Sequence, residues 1–164
     1  MKIYNTNSNV IHCLEKMSTN PWANTIMEGY YALNNRVKGS RGEEIVEELL
    51  KQLNYNVSSA KNSGHDRIVN GIKTEIKFSA ATNRNCNFEF MFNHIGMSKD
   101  WEEIIFCGIN GDLEIRMVRF NRKTFPFELF NIQQGGQSSE NDDYMCTGKQ
   151  SCKLLFHENA EILF

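Results

Sequence analysis

Asp66, Glu75 and Lys77 fall within one stretch, "GHDRIVNGIKTEIKFS", on either side of the pair Asn70-Gly71. Asn-Gly between two runs rich in β-branched residues is the strongest short signal for a two-residue hairpin turn. With that turn, Val69 pairs with Ile72, Ile68 with Lys73, Arg67 with Thr74 and Asp66 with Glu75. Side chains alternate faces along a strand, so Asp66 and Glu75 stand opposite each other with Cβ atoms ~5 Å apart. Lys77, two residues beyond Glu75, shares their face. Val69, Ile72, Ile76 and Phe78 form the other, apolar face.

Two like charges at ~5 Å repel by roughly 3 kcal/mol at an effective dielectric of ~20. Something must offset this, and Lys77 does so in part. A divalent cation does more. Two carboxylates and a backbone carbonyl, here that of Ile76, suit a hard ion such as Mg²⁺, with Mn²⁺ able to substitute. A lysine beside such an ion orients an attacking water, eases its deprotonation or stabilises charge developing on a phosphate. The plainer alternative is a surface hairpin on which Lys77 pairs with the acids.

The elements around the hairpin follow from periodicity. "SNVIHCLEKM" spaces Val10, Ile11, Leu14 and Met17 as a helix. "NPWANTIMEGYYALNNRV" offers Asn20 as cap and Pro21 as first helical residue, with Trp22, Ile26, Tyr30, Leu33 and Val37 on one stripe. "GSRGEEIVEELLKQLN" is the clearest helix, with Val46, Leu49, Leu50 and Leu53 facing inward. Of its acids, Glu43 shares the edge of Val46, Leu50 and Leu53 that faces the sheet. First-turn acids also favour a helix dipole, which is the plainer reading of the cluster Glu43, Glu44, Glu47 and Glu48. "YNVSSA" and "NFEFMFNHI" read as strands, the second alternatively as an ordered loop. "SKDWEE" reads as one helical turn. "IIFCGI" and "LEIRMVRF" form a second hairpin across "NGD". "KTFPFELF" reads as a short helix broken at Pro126, "NIQQGGQSSENDDYMCTG" as a long polar loop, and "KLLF" and "EILF" as a strand and a terminal segment. The order, helices then a mostly antiparallel sheet with later helices, is α/β or α+β.

The totals fit one domain. The chain has 164 residues, 40% of them apolar and 11 of them Phe, enough for a core. No run of ~18 apolar residues suggests a membrane span. The N-terminus lacks the features of an export signal, so a cytoplasmic protein is expected. The five cysteines lack disulfide or zinc spacing, which fits reduced thiols. A net charge of −2 argues against a basic coat protein but not against a DNA enzyme whose acids gather around a metal. "TGKQ" lacks the rest of a phosphate-binding loop, and no HExxH occurs.

The pattern Asp66-x8-Glu75-Ile76-Lys77, after a helix with acids in its first half, resembles the PD-(D/E)XK nuclease superfamily, which has the restriction-endonuclease-like fold. The resemblance covers residues 39–79 and extends less specifically over "DWEEIIFCGINGDLEIRMVRF". His65 stands where the family often has proline. The resemblance implies a single nuclease domain over 1–164. Its parts are a helical N-terminal part (1–38), a catalytic core with a central mixed β-sheet flanked by helices (39–120), and a C-terminal loop and strands (121–164). It implies Mg²⁺-dependent hydrolysis of DNA leaving 5′-phosphate and 3′-hydroxyl ends. Asp66, Glu75 and the Ile76 carbonyl would hold the metal and Lys77 would position the water. A helix glutamate would complete the set: Glu43 is preferred, with Glu44 and Glu47 as alternatives.

A small chain of this kind most resembles a type II restriction endonuclease acting on double-stranded DNA as a homodimer, with "MEGYYALNN" offering aromatic anchors for the contact. A Holliday-junction resolvase or repair nuclease is the nearest alternative, and an RNA-cleaving relative a lesser one. A non-catalytic nucleic-acid-binding module, or an acidic hairpin that binds a basic partner, is the alternative from another class. Lys61, Asn62, Ser63, Arg84, Lys99 and Lys149 are candidate DNA contacts, and the loop from Gln133 to Gly148 carries residue types that read base edges.

Overall fold

The computed structural model describes residues 22–81, 87–132 and 143–164. They form three α-helices, α1 (Glu28–Tyr31), α2 (Asn35–Gln52) and α3 (Lys149–Leu155). The strands are β1 (Val57–Ser59), β2 (Arg67–Val69), β3 (Ile72–Ala80), β4 (Phe90–Gly96), β5 (Glu103–Ile109), β6 (Ile115–Asn121), β7 (Asn131–Ile132), β8 (Asp143–Gly148) and β9 (Glu161–Ile162). The chain is thus mixed α/β. A six-stranded sheet has the order β1-β2-β3-β5-β6-β9, and a three-stranded sheet has the order β4-β8-β7. In the larger sheet β3 and β5 run parallel and the other pairs antiparallel, so it is mixed.

The β2–β3 hairpin has the expected register, with Arg67 opposite Thr74, Ile68 opposite Lys73 and Val69 opposite Ile72. Asn70 and Gly71 both have positive φ, 50° and 87°, as a two-residue turn of this hand requires. The Asp66 N–H also donates to the Thr74 carbonyl at 3.0 Å although Thr74 pairs with Arg67, so the ladder shifts at Asp66 and the expected Asp66–Glu75 pair is not part of the register. Ile72, expected on the buried face, is 38% exposed because it flanks the turn at the end of the hairpin.

The helix expected to run from Pro21 through Val37 is broken. α1 is a single turn, and Asn34 caps a new helix by accepting the Val37 N–H at 3.0 Å. α2 therefore begins before Gly39, and its first turn holds no acid, so the dipole account of the glutamates does not apply. Leu53, expected inward, is the half-exposed C-cap. "SKDWEE" forms no helical turn but leads directly into β5. "KTFPFELF" forms two 3₁₀ turns around Pro126. "KLLF" is not a strand but the last residues of α3 and its C-cap Phe156, and Leu154 and Leu155 are buried with Ser151 at i, i+3 and i+4. Within the expected long loop, 143–148 is strand β8, while 133–142 lies outside the described residues.

One face of the large sheet packs on α2 through Val46, Leu49, Leu50, Val69, Ile76 and Ile105. The other face is covered by the three-stranded sheet with α3 rather than by helices alone. Its aromatic core includes Phe92, Phe106, Phe120, Phe125 and Trp101. Phe92 and Phe106 meet edge-on across the two sheets at 5.1 Å. No helix among the described residues is long and apolar enough to cross a membrane.

α2 lies close over β3 because Gly42 is buried against Phe78. A Cβ built at Gly42 would sit 2.6 Å from the Phe78 Cβ, whereas one at Gly39 meets nothing within 4 Å. Both glycines lie in the same helix, so intrinsic propensity favours alanine at each by about 1 kcal/mol. We expect Gly39→Ala to stabilise the protein by up to about that amount. Gly42→Ala should instead destabilise by roughly 1–3 kcal/mol through overpacking. Urea unfolding of the two variants measures the contrast, and equal effects would contradict the close approach.

Candidate active site

β3 is buried along its centre: Thr74, Glu75 and Ile76 are all inaccessible or nearly so. Burying Ile76 costs nothing, but burying an ionised Glu75 requires compensation. It comes from two lysines on one oxygen. Lys77 Nζ and Lys99 Nζ each lie 2.8 Å from Glu75 Oε1. Glu75 Oε2 is also buried and has no hydrogen-bond partner among the described residues.

Asp66 precedes β2. Its Oδ2 accepts the Ile76 N–H at 2.7 Å. In a strand the N–H and C=O of one residue leave on the same edge, so the Ile76 carbonyl is directed to the Asp66 side and away from β5. Glu43, Asp66, Glu75, Ile76, Lys77 and Lys99 line one cavity of about 340 Å³, with Met91, Phe92, Asn93 and His94 of β4 among the residues of its wall. The two carboxylates expected on one face of the hairpin therefore open into the same space.

Burial raises the Asp66 carboxyl above its ordinary value. The negative Glu75 raises it further, and the Ile76 N–H and the two lysines only partly oppose this. Glu43 is raised likewise, first by burial and then by Asp66. Burial by itself would lower the Lys99 ammonium, but its hydrogen bond to Glu75 and the attraction of Glu75 and Asp66 outweigh that, and its pKa is raised.

The other helix glutamates are engaged elsewhere. Glu47 Oε2 accepts from Arg67 Nε at 2.7 Å, and Glu47 Oε1 pairs with Lys51 at 2.8 Å. Glu44 pairs with Arg41 on the surface. Arg67 also reaches Glu43 at 3.3 Å and the Asp66 carbonyl at 2.8 Å, tying α2 to the hairpin beside the cavity.

Lys61, Asn62 and Ser63 are exposed in the loop before Asp66, and Lys149 is exposed at the start of α3; none of them lines the cavity. Arg84 lies outside the described residues. Lys99, expected as an outer DNA contact, is turned inward onto Glu75 instead. It stands 24 positions from Glu75, and no local pattern announces that contact. His65 is buried and held by Asp100 at 3.1 Å. Its neighbours Lys73 and His65 together hold the Asp100 carboxyl down at about 2, the His65 hydrogen bond contributing most.

His94 was also not singled out by sequence. A break in the β4–β8 register between Phe92 and Ile95 leaves it at φ 53° on the cavity wall, the kind of bulge that re-aims a side chain. Of the anchors in "MEGYYALNN", Tyr30 is spent within the chain. Its ring packs on Phe78 at 5.5 Å, its hydroxyl donates to the Lys38 carbonyl, and burial pushes its pKa up to about 12.

Among the described residues no three His, Cys, Asp or Glu side chains already stand at mutual metal-ligand spacing. The reason is visible in the pairs above: Oε1 of Glu75 is drawn to two ammonium groups and Oδ2 of Asp66 to a backbone amide. The donor chemistry nevertheless fits a hard divalent cation. Three carboxylates face one cavity, one of them with a buried, unpartnered oxygen, and the Ile76 carbonyl leaves on the same side. A larger hollow of about 600 Å³ lies between α1 and α2, but apolar residues such as Met27, Leu33 and Ile45 dominate its lining. Comparison with protein-family models and with curated proteins returns no match for the chain.

The raised Asp66 pKa carries a stability consequence. The folded protein holds this proton more tightly than the unfolded chain does. Its contribution is thus favourable below the ordinary aspartate value of 3.8 and is lost as pH rises through the raised value. Asp66→Asn keeps an oxygen for the Ile76 N–H but removes the charge. We expect it to melt at a higher temperature than the wild type at pH 7 without divalent cations, by a few degrees on the scale of ~1 kcal/mol. That gain should vanish at pH values under 3.8. A variant that melts lower at pH 7 would show that the Asp66 charge is welcome in its site.

Proposed function

We propose that the protein is a Mg²⁺-dependent endonuclease of the restriction-endonuclease-like fold that hydrolyses phosphodiester bonds in double-stranded DNA, in the manner of a type II restriction endonuclease. The observation that carries this reading is the fully buried Glu75, which opens into one cavity with Asp66, Glu43 and Lys77 and keeps one oxygen without a partner. A structural ion pair has no use for that oxygen, since burying a charged acceptor unsatisfied costs about 1–3 kcal/mol or more.

Asp66, Glu75 and the Ile76 carbonyl would hold the cation, with Glu43 at its border. When bound, such an ion supplies Lewis-acid polarisation of the phosphate and a more acidic water. The chain's own residues do the rest. Lys77 is only 16% exposed at its side chain and is held to Glu75, so its ammonium is pre-oriented at the cavity wall. There it fixes the attacking water in line and offsets charge as the phosphorus becomes five-coordinate. Glu43, at the border of the site, is placed to accept a proton as the water is deprotonated. Phe92, fully buried, gives the cavity an apolar side. Cutting both strands with one such site per chain calls for two chains related by a twofold axis.

The test compares two variants in the same assays. Lys77→Ala should lower the rate of plasmid cleavage in Mg²⁺ on the order of 10²-fold or more. Its DNA affinity in Ca²⁺ should change little, because affinity resides in many phosphate contacts. Asp66→Ala should abolish cleavage by weakening the cation site. Cleavage by Lys77→Ala at the wild-type rate would reduce Lys77 to a counter-ion. Absence of any cleavage by the wild type across Mg²⁺ and Mn²⁺ would remove the nuclease reading.

A further inference from the structure

Lys99 is the lysine of the cavity that no hairpin register requires, yet its position is strongly determined. It lies between β4 and β5, in a segment gripped by Arg122. Arg122 Nη1 donates to the carbonyls of Lys99 at 2.7 Å and Trp101 at 2.8 Å, and Nη2 donates to that of Met97. The guanidinium lies 4.5 Å over the Trp101 ring, whose Nε1 donates to the Gly96 carbonyl at 2.9 Å. A clamp of three carbonyls on one guanidinium fixes the backbone from which the Lys99 side chain reaches Glu75.

One lysine is enough to neutralise Glu75, and Lys77 already does so from the same strand. A second ammonium at 2.8 Å from the same oxygen is repelled by the first, while the other oxygen stays bare. Such crowding is stable only because the cavity as a whole is acidic. Glu43, Asp66 and Glu75 contribute −3, and Lys77 and Lys99 contribute +2, leaving −1. A divalent cation reverses the balance to +1, which matches one phosphodiester anion. Its positive charge between the carboxylates also repels both lysines, and the one with the freer side chain gives way first. That lysine is Lys99, 35% exposed against 16% for Lys77.

We propose that Lys99 is a tethered counter-ion that occupies Glu75 in the metal-free protein, leaves that oxygen when a divalent cation enters, and then meets the phosphate of the substrate. This rests on the reading of the cavity as a metal-dependent phosphodiester site. Arg122 is the positioning residue that aims Lys99, and Glu75 is the place where the ammonium and the cation compete.

The full-length chain decides the matter through Mn²⁺ binding without DNA, followed by the loss of the free-ion signal in electron paramagnetic resonance. Lys99→Met removes the competitor while keeping the side chain's length, and should bind Mn²⁺ about tenfold more tightly than the wild type. Lys99→Arg keeps the charge and should stay within about twofold. Lys73→Met, which removes the same charge from a lysine paired with Asp100, should leave the affinity unchanged. In Ca²⁺, a short duplex should bind Lys99→Met more weakly than Lys73→Met, with the salt dependence reduced by about one phosphate contact.

If the wild type binds Mn²⁺ and Lys99→Met binds no more tightly than Lys73→Met, the counter-ion role is overturned and the metal site stands. Tighter Mn²⁺ binding with unaltered duplex affinity overturns the contact with phosphate. If no variant nor the wild type binds Mn²⁺, the metal-dependent reading itself falls, and this inference with it.

Discussion

An ionised carboxylate at the centre of a buried strand is the constraint around which this molecule is arranged. Glu75 pairs with Ile104 of β5, lies one residue past the part of β3 that pairs with β2, and has no access to solvent. An uncompensated charge there would cost several kcal/mol, comparable to a large part of the stability of a small domain. Its surroundings answer that cost in one direction only. Lys77 arrives from the same strand and Lys99 from the turn before β5, both on the side away from α2. The other side of the strand is left to Val46, Leu50 and Ile76. The sheet therefore packs an apolar helix interface on one side and opens the charged cavity toward β4, with Glu43 of α2 reaching that cavity's border.

The scaffold keeps that arrangement rigid by different means on its two sides. On the helix side, Gly42 lets α2 approach β3 to van der Waals distance, and Arg67 ties Glu43 and Glu47 to the hairpin. On the β4 side, an aromatic layer holds the small sheet on the large one, and the Arg122 clamp holds the segment that bears Lys99. The helix is thus the support for the acids, and the aromatic core is the support for the second base.

What was legible in the sequence follows distance along the chain. The Asn70-Gly71 turn determines the register from Arg67 to Thr74, which sets Asp66 near Glu75 and Lys77; the shift of the ladder at Asp66 could not be read from alternation. The apolar period of α2 was equally plain in Val46, Leu49 and Leu50, but it only preferred Glu43 and left Glu44 and Glu47 as alternatives; Glu43 is the one of the three that lines the cavity. The partnership of Glu75 with Lys99 was not legible, since it depends on how β5 is laid beside β3. Nor was the role of Arg122, which binds only carbonyls and leaves no mark in side-chain pattern. The helix α3 was mistaken for a strand because "KLLF" is too short an apolar run to distinguish the two. What decides it is tertiary: Ser151 Oγ accepts the Phe90 N–H at 2.7 Å and donates to the Gly148 carbonyl at 2.7 Å, binding the helix start to β4.

The parallel pairing of β3 with β5 has a bearing on how the molecule comes into being. The hairpin can close as soon as Asn70-Gly71 has emerged, on the microsecond scale of local pairing. Thr74 meets Glu103 across 29 positions, and Lys99 meets Glu75 across 24, so each must wait for a long loop to close. A nascent or partly unfolded chain therefore brings Asp66 and Glu75 close together but lacks the second lysine that reconciles them. The charge set is completed only by non-local pairing, which must follow the local hairpin. Its integrity reports on the whole sheet, not on the hairpin that first displays it.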